Sequence, residues 1–153
     1  MQDIIIYMRY DGLLLKNQLC HPLYSASNAL QRAYKRVLKK WGISYPQYLI
    51  LLTLWEMDEQ TVTQICEKTF FDSGTATPLL QKLSQKGLIQ IKNLPTDKRS
   101  KVVSLSKKGL ALKDKMITVP EEMMCLVSMN PQELELLTKM IQELYQNLLK
   151  SEN

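Results

Sequence analysis

Cysteine is the residue in this chain best suited to reversible oxidation. Cys20, Cys66 and Cys125 are too few and too scattered for a disulfide framework. No CxxC occurs and there is a single histidine, so no zinc site, metal or cofactor is expected. Cys20 follows Asn17-Gln18-Leu19, and Pro22 comes two residues later. Proline is favourable in a first helical turn, so Cys20 should sit close to a helix N-terminus. The partial positive charge there favours a thiolate, the form that oxidants attack. The plainer alternative for any cysteine is a small apolar packing group. Cys66, beside Val62 and Ile65, reads that way. His21 adjoins Cys20 but would point about 100° away on a helix, so a Cys–His dyad is not expected.

Phenols are the second group of interest. Tyr34 lies fourteen residues after Cys20, nearly a whole number of helical turns, so the two share a face. Along one helix they are about 21 Å apart and cannot touch within a chain. They could touch if two such helices packed antiparallel across a dimer axis. A phenol donating a hydrogen bond to a thiolate would stabilise it. Tyr45, opening the next helix, could serve likewise.

The third constellation is basic. Residues 80–115 hold ten Lys/Arg and two Asp, a local balance of +8 in a chain of net charge +5. Residues 121–153 hold six Glu and two Lys. A charge run by itself is usually a solvated face. Here it coincides with a tip, Pro95-Thr96-Asp97-Lys98-Arg99-Ser100, between two alternating segments, Leu88 to Lys92 and Lys101 to Leu105. Arg99 would suit a narrow minor groove, with Asp97 holding its guanidinium by a charge-assisted pair. The bland alternative is a hairpin turn with a surface ion pair.

These groups need elements to position them. The spacing of Leu19, Leu23, Ala26, Leu30, Ala33 and Val37 predicts a helix over Leu19 to Lys40, ended by Gly42. A second runs from Ser44-Tyr45-Pro46 to Met57, and Thr61 caps a short third through Lys68. A fourth spans Ser73 to Lys86. Its buried stripe is Ala76, Leu79, Leu80 and Leu83; Thr75, Thr77, Pro78, Gln81 and Lys82 face away. Pro78 is awkward in mid-helix, and a cap at Thr77 is the local alternative. Gly87 ends this helix. A helix from Ser106 is interrupted near Pro120, and a last one follows Asn130-Pro131 to Lys150.

The fold class expected is therefore mainly α with a small β-hairpin wing: a winged helix-turn-helix with N- and C-terminal dimerisation helices. Residues 1–45 would form a dimerisation and sensor segment, 46–108 the DNA-binding domain, and 109–153 the C-terminal dimerisation helices. The partners expected are double-stranded operator DNA and a second copy of the chain, since one module binds too weakly to be specific. Ile4-Ile5-Ile6 is too short for a signal core or a membrane span, so the location expected is cytoplasmic and reducing.

The order of elements, the Asp97-Lys98-Arg99-Ser100 wing and Gly87-Leu88-Ile89 resemble the MarR family of winged-helix repressors. By position, the resemblance puts Ser73, Thr75, Thr77 and Lys82 on the recognition helix, Asp72 at its N-terminus and Arg99 on the wing. Asn17-Gln18-Leu19-Cys20, Leu23-Tyr24, Tyr34 and Tyr45-Pro46-Gln47-Tyr48 resemble the OhrR subgroup, sensors of organic hydroperoxides. At His21-Pro22 the chain departs from the aromatic or small apolar pair of that subgroup. The resemblance implies that Cys20 is the reactive cysteine, with Tyr34 and Tyr45 reaching it from the other subunit. It also implies the two-cysteine subtype, with Cys125 resolving oxidised Cys20 as an intersubunit disulfide. Rival readings are a MarR-type regulator that senses a small apolar ligand, a broader oxidant sensor using Cys20 alone, and a thiol enzyme such as a peroxidase. The last needs neither the wing nor Arg99, so the chain reads as not an enzyme.

Overall fold

The computed structural model describes residues 10–94 and 97–151, with the backbone alone at 94 and 97–100. The chain forms two compact units, 1–119 and 120–153.

In the first unit, two short 3-10 turns, Asp11–Leu13 and Leu15–Asn17, precede helix α1, Cys20–Leu38. A further 3-10 turn, Lys39–Trp41, ends at Gly42, whose φ of 63° is the left-handed conformation that glycine adopts without penalty. Helix α2, Tyr45–Glu56, starts with Pro46 in its first turn, and Ser44 N–H donates to Gln47 Oε1 at 3.2 Å. Apolar on most sides, α2 buries Tyr48, Ile50, Leu51 and Leu54. Strand β1, Gln60–Thr61, leads into α3, Val62–Thr69, and then α4, Ser73–Gln85. The wing is β2, Ile89–Leu94, and β3, Asp97–Leu105; α5, Lys107–Lys115, closes the unit. Ile65, Ala76, Leu80, Leu83, Leu88, Ile89 and Val103 join α2 in the core.

The sheet has three antiparallel strands in the order β1-β3-β2. Its third member, β1, pairs Gln60 with Val103 and Thr61 with Val102, and a two-residue strand carries no alternation that a sequence can show. One further expectation needs correction, and another is placed more finely. Helix α4 runs from its cap at Asp72 straight through Pro78, so Thr77 is not a cap. Proline removes one N–H from the ladder, and the buried stripe of Ala76, Leu80 and Leu83 holds the helix together around it. The break expected near Pro120 lies upstream at Met116–Thr118, and Pro120 stands in the first turn of the next helix, where a missing N–H costs nothing.

The second unit contains most of α6, Val119–Val127, and α7, Pro131–Ser151. Asn130 and Glu133 cap α7 reciprocally: Glu133 N–H donates to Asn130 Oδ1 at 2.9 Å and Asn130 N–H to Glu133 Oε2 at 3.0 Å. Leu137, Ile141 and Leu148 are exposed along α7. Among the described residues no helix is long and apolar enough to cross a membrane.

Candidate DNA-reading surface and thiol site

Helices α3 and α4 form the helix-turn-helix. Thr61 N–H donates to Gln64 Oε1 at 2.8 Å while Gln64 N–H donates to Thr61 Oγ1 at 3.2 Å, a capping box that starts α3. Phe70, with φ of 57°, makes the left-handed residue of the turn. Asp72 then caps α4. Its Oδ1 accepts from Thr75 N–H at 2.8 Å and its Oδ2 from the Thr75 hydroxyl at 2.6 Å. Those two bonds hold the Asp72 carboxyl below the usual carboxylate range.

Ser73, Thr75, Thr77, Gln81 and Lys82 are all exposed on α4, on the face that the helical spacing assigns to solvent. Thr75 and Thr77 spend their hydroxyl protons locally, Thr77 on Ser73 O at 2.7 Å. What they offer a partner is therefore mainly acceptor lone pairs and methyl groups, which suit base donors and thymine methyls. In the wing, β2 and β3 pair from Ile89↔Leu105 to Asn93↔Lys101, then jump to Leu94↔Asp97. Lys98, Arg99 and Ser100 thus fall within a register shift at the tip. The expected Asp97–Arg99 ion pair lies outside the described side chains, and Pro95 and Thr96 lie outside the described residues.

Cys20 is the first residue of α1 and is exposed, with Pro22 in the first turn. The His21-Pro22 departure therefore leaves the helix start intact. Fourteen residues on, Tyr34 stacks on Tyr45 with ring centroids 4.3 Å apart and planes 28° from parallel. Tyr48 lies 6.0 Å from Tyr34 and meets Trp55 edge-on at 6.2 Å. Burial pushes all three phenols above their usual value, helped at Tyr34 and Tyr48 by neighbouring phenols. Tyr34 and Tyr45 therefore keep their protons and can act as donors. Cys125 is an exposed thiol in α6. Cys66 is half-buried, and burial with the Asp72 and Glu67 carboxylates pushes its thiol up, which keeps it protonated.

Comparison with known proteins now bears on this geometry. Residues 32–116 match the family described as transcriptional regulator SarA/Rot. The organic hydroperoxide resistance transcriptional regulator of Bacillus subtilis (strain 168) is 39% identical over 140 residues, covering 92% of this chain and 95% of that protein. The chain belongs to the MarR family, and it is of the OhrR type. Among solved MarR-type structures, reduced AbfR bound to DNA gives a TM-score of 0.77 at 29% identity, covering 93% of this chain and 99% of that one. Disulfide-formed AbfR gives 0.59 at 32% identity, covering 91% and 98%. AbfR is a protein of Staphylococcus epidermidis.

This MarR-family chain is thus a winged-helix transcriptional regulator. The structure brings Tyr34 and Tyr45 together and collects Asp72, Ser73, Thr75, Thr77 and Lys82 along α4. Sequence reasoning missed Tyr48 and Trp55 as parts of the aromatic ladder, though Tyr45 and Tyr48 are three residues apart on α2, a spacing that shares a face. It also missed three lysines that serve helix C-terminal carbonyls from other elements. Lys86 Nζ donates to Gly42 O, Lys108 Nζ to Lys86 O at 2.8 Å, and Lys113 Nζ to Trp55 O at 3.0 Å. No local pattern announces such tertiary caps.

Proposed function

We propose that this OhrR-type protein is a homodimeric repressor that holds double-stranded operator DNA while Cys20 is reduced and releases it when an organic hydroperoxide oxidises Cys20. The observation that carries this reading is the stacked Tyr34–Tyr45 pair, two half-buried phenols that keep their protons, with Tyr34 on the helix that begins at the exposed thiol of Cys20. In the dimer, Tyr34 and Tyr45 of one subunit donate to the Cys20 thiolate of the other. The thiolate attacks a peroxide oxygen; a sulfur–oxygen bond forms, the O–O bond breaks, and the alkoxide leaves as an alcohol after taking a proton. The Cys125 thiol of the partner subunit then displaces hydroxide from the sulfenic acid, giving a disulfide and water. Closing that bond needs Cα atoms within about 7 Å, and the helix movement that brings them there respaces the two reading heads.

Residues 46–108 would read the operator, with 1–45 and 109–153 forming the dimer. Ser73, Thr75, Thr77 and Lys82 would enter the major groove, Asp72 would fix the start of the helix, and Arg99, steadied by Asp97, would enter the minor groove. The DNA-bound state of reduced AbfR supports this assignment, and its disulfide-formed state supports a redox role for the thiols. A reducing cytoplasm would keep Cys20 poised.

A gel shift on DNA from the protein's own locus tests the reading. Cumene hydroperoxide should release the wild-type protein and reductant should restore binding, while Cys20→Ser stays bound throughout. Tyr45→Phe, losing a hydrogen bond to a charged acceptor worth about 1.5–3 kcal/mol, should slow thiol oxidation by roughly ten-fold or more. Release of Cys20→Ser by peroxide would sink the proposal. A peroxide-treated wild type that runs only as monomer on a non-reducing gel would leave Cys20 acting without Cys125.

A further inference from the structure

Lys86 closes α4, the helix that carries Ser73, Thr75, Thr77 and Lys82. Its backbone is fixed there. Lys86 N–H donates to Lys82 O at 3.1 Å, Gly87 N–H to Ser84 O at 2.8 Å and Leu88 N–H to Leu83 O at 3.0 Å. Helix α5 holds the same end from outside, since Lys108 Nζ donates to Lys86 O at 2.8 Å and Ser106 Oγ to Gly87 O at 2.6 Å.

The side chain of Lys86 leaves α4 altogether. It is half-buried, and its Nζ donates to Gly42 O and, at 3.1 Å, to Gln47 Oε1. Both acceptors belong to the corner between α1 and α2. Gln47 is buried, and its Oε1 also accepts from Ser44 N–H at 3.2 Å in the capping box that starts α2. One ammonium group therefore grips the carbonyl of the left-handed turn and the side chain that caps the helix after it. Such bonds are roughly twice as strong as those between neutral groups. Tyr45 lies between the two acceptors in the chain, and its ring stacks on Tyr34. The segment from Gly42 to Gln47 cannot shift without carrying Lys86 along or breaking these bonds.

We infer that Lys86 is the positioning residue that couples the Tyr45 corner to the reading helix. The nature of the signal at that corner rests on the hydroperoxide reading; the joint itself does not. Helix α4 amplifies what it receives. At 1.5 Å per residue Thr75 stands about 16 Å from Lys86, so a tilt of about 5° at Lys86 moves it by about 1.4 Å. The donor–acceptor window of a hydrogen bond is only about 0.5 Å wide, so such a tilt breaks a contact to a base edge. Coupling is reciprocal: an operator that holds α4 must steady the corner, as a change at the corner must shift α4. A plain helix-end cap predicts lost stability and no such link.

Amide hydrogen exchange of the full-length reduced protein, free and bound to duplex DNA from its own locus, reads the joint without peroxide. In the wild type, DNA should slow exchange over residues 39–48 by roughly ten-fold or more, the scale of one charge-assisted hydrogen bond. Lys86→Met keeps the stem and removes the donors; it should bind the DNA yet lose that slowing. Lys108→Met removes a cation whose bond goes to Lys86 O and not to the corner, and it should keep the slowing. Circular dichroism of each variant checks the fold. After cumene hydroperoxide, the loss of operator affinity should be roughly ten-fold smaller in Lys86→Met than in the wild type. The inference is overturned if DNA leaves exchange at the wild-type corner unchanged, or if Lys86→Met shows the wild-type slowing. It is also overturned if Lys108→Met loses the slowing too, or if folded Lys86→Met no longer binds the DNA, which would make Lys86 a phosphate contact. A wild type that keeps its operator after peroxide sinks the hydroperoxide reading alone, and the exchange result still decides this one.

Discussion

Burial does opposite service to the phenols and to the spare thiol. Tyr34, Tyr45 and Tyr48 are pushed above their ordinary value of 10.0, which keeps hydrogen-bond donors intact beside the position proposed for a thiolate. Cys66 is pushed up too, which disfavours its thiolate, the form that oxidants attack. The phenols make a pH prediction with a definite sign. Their native-state values exceed those of the unfolded chain, so the unfolded chain loses its tyrosine protons first. Stability from this source is fully present below about pH 10 and declines as pH rises through the raised values. Thermal midpoints measured from about pH 8 to about pH 11 should fall at the alkaline end, and Tyr34→Phe should fall less steeply than the wild type. Equal slopes in the two proteins would show that the desolvated phenol is not the cause.

At the scale of elements, the firmest constraint is the approach of α5 to the start of β2. A Cβ at Gly109 would lie 2.0 Å from the backbone oxygen of Leu88, and Gly109 O in turn accepts from Trp55 Nε1 at 3.1 Å. Backbone cannot step aside as a flexible side chain can. Gly109→Ala should therefore cost about 1–3 kcal/mol, the range for overpacking, read as a lower urea midpoint with an unchanged slope. A neutral result would mean that α5 can shift freely against the sheet. Helix ends were the most legible part of the sequence. Ser44 ahead of Pro46, the cap at Thr61, and the glycines at 42 and 87 are local signals with local causes. Strand β1 was not legible, because two residues show no alternation and their partners, Val102 and Val103, lie far along the chain. Continuity through Pro78 was not legible either, since the burial of Ala76, Leu80 and Leu83 that overrides the proline is a tertiary effect. Of the candidate site, the place of Cys20 at a helix start and the exposed polar face of α4 were readable from the sequence. The stacking of Tyr34 on Tyr45 depends on the angle at Gly42, which no pattern of residues encodes.

For the whole molecule, charge is segregated along the chain: a basic block over residues 80–115 and an acidic balance over 121–153. The basic block spans the second half of α4, the wing and all of α5, so the wing and the end of the reading helix, which would meet phosphates, lie within it. On the proposed mode of binding, each phosphate that a cation neutralises sets free condensed counterions. Arg99→Ala should weaken operator binding and flatten the plot of log affinity against log salt by about 0.9 for each phosphate left unneutralised. Filter binding across a salt series reads this directly, and an unchanged slope would remove Arg99 from the interface.

The jump in wing register has an evolutionary meaning. The ladder from Ile89↔Leu105 to Asn93↔Lys101 closes without Lys98, Arg99 or Ser100. Residues outside the ladder can be exchanged without loss of its rungs. On the proposed mode of binding, three codons would thus be free to drift toward a new promoter while the remainder of the gene goes on encoding the same folded regulator. A duplicated copy could acquire its own set of target genes quickly, keeping one inherited sensor and changing only the address it answers to.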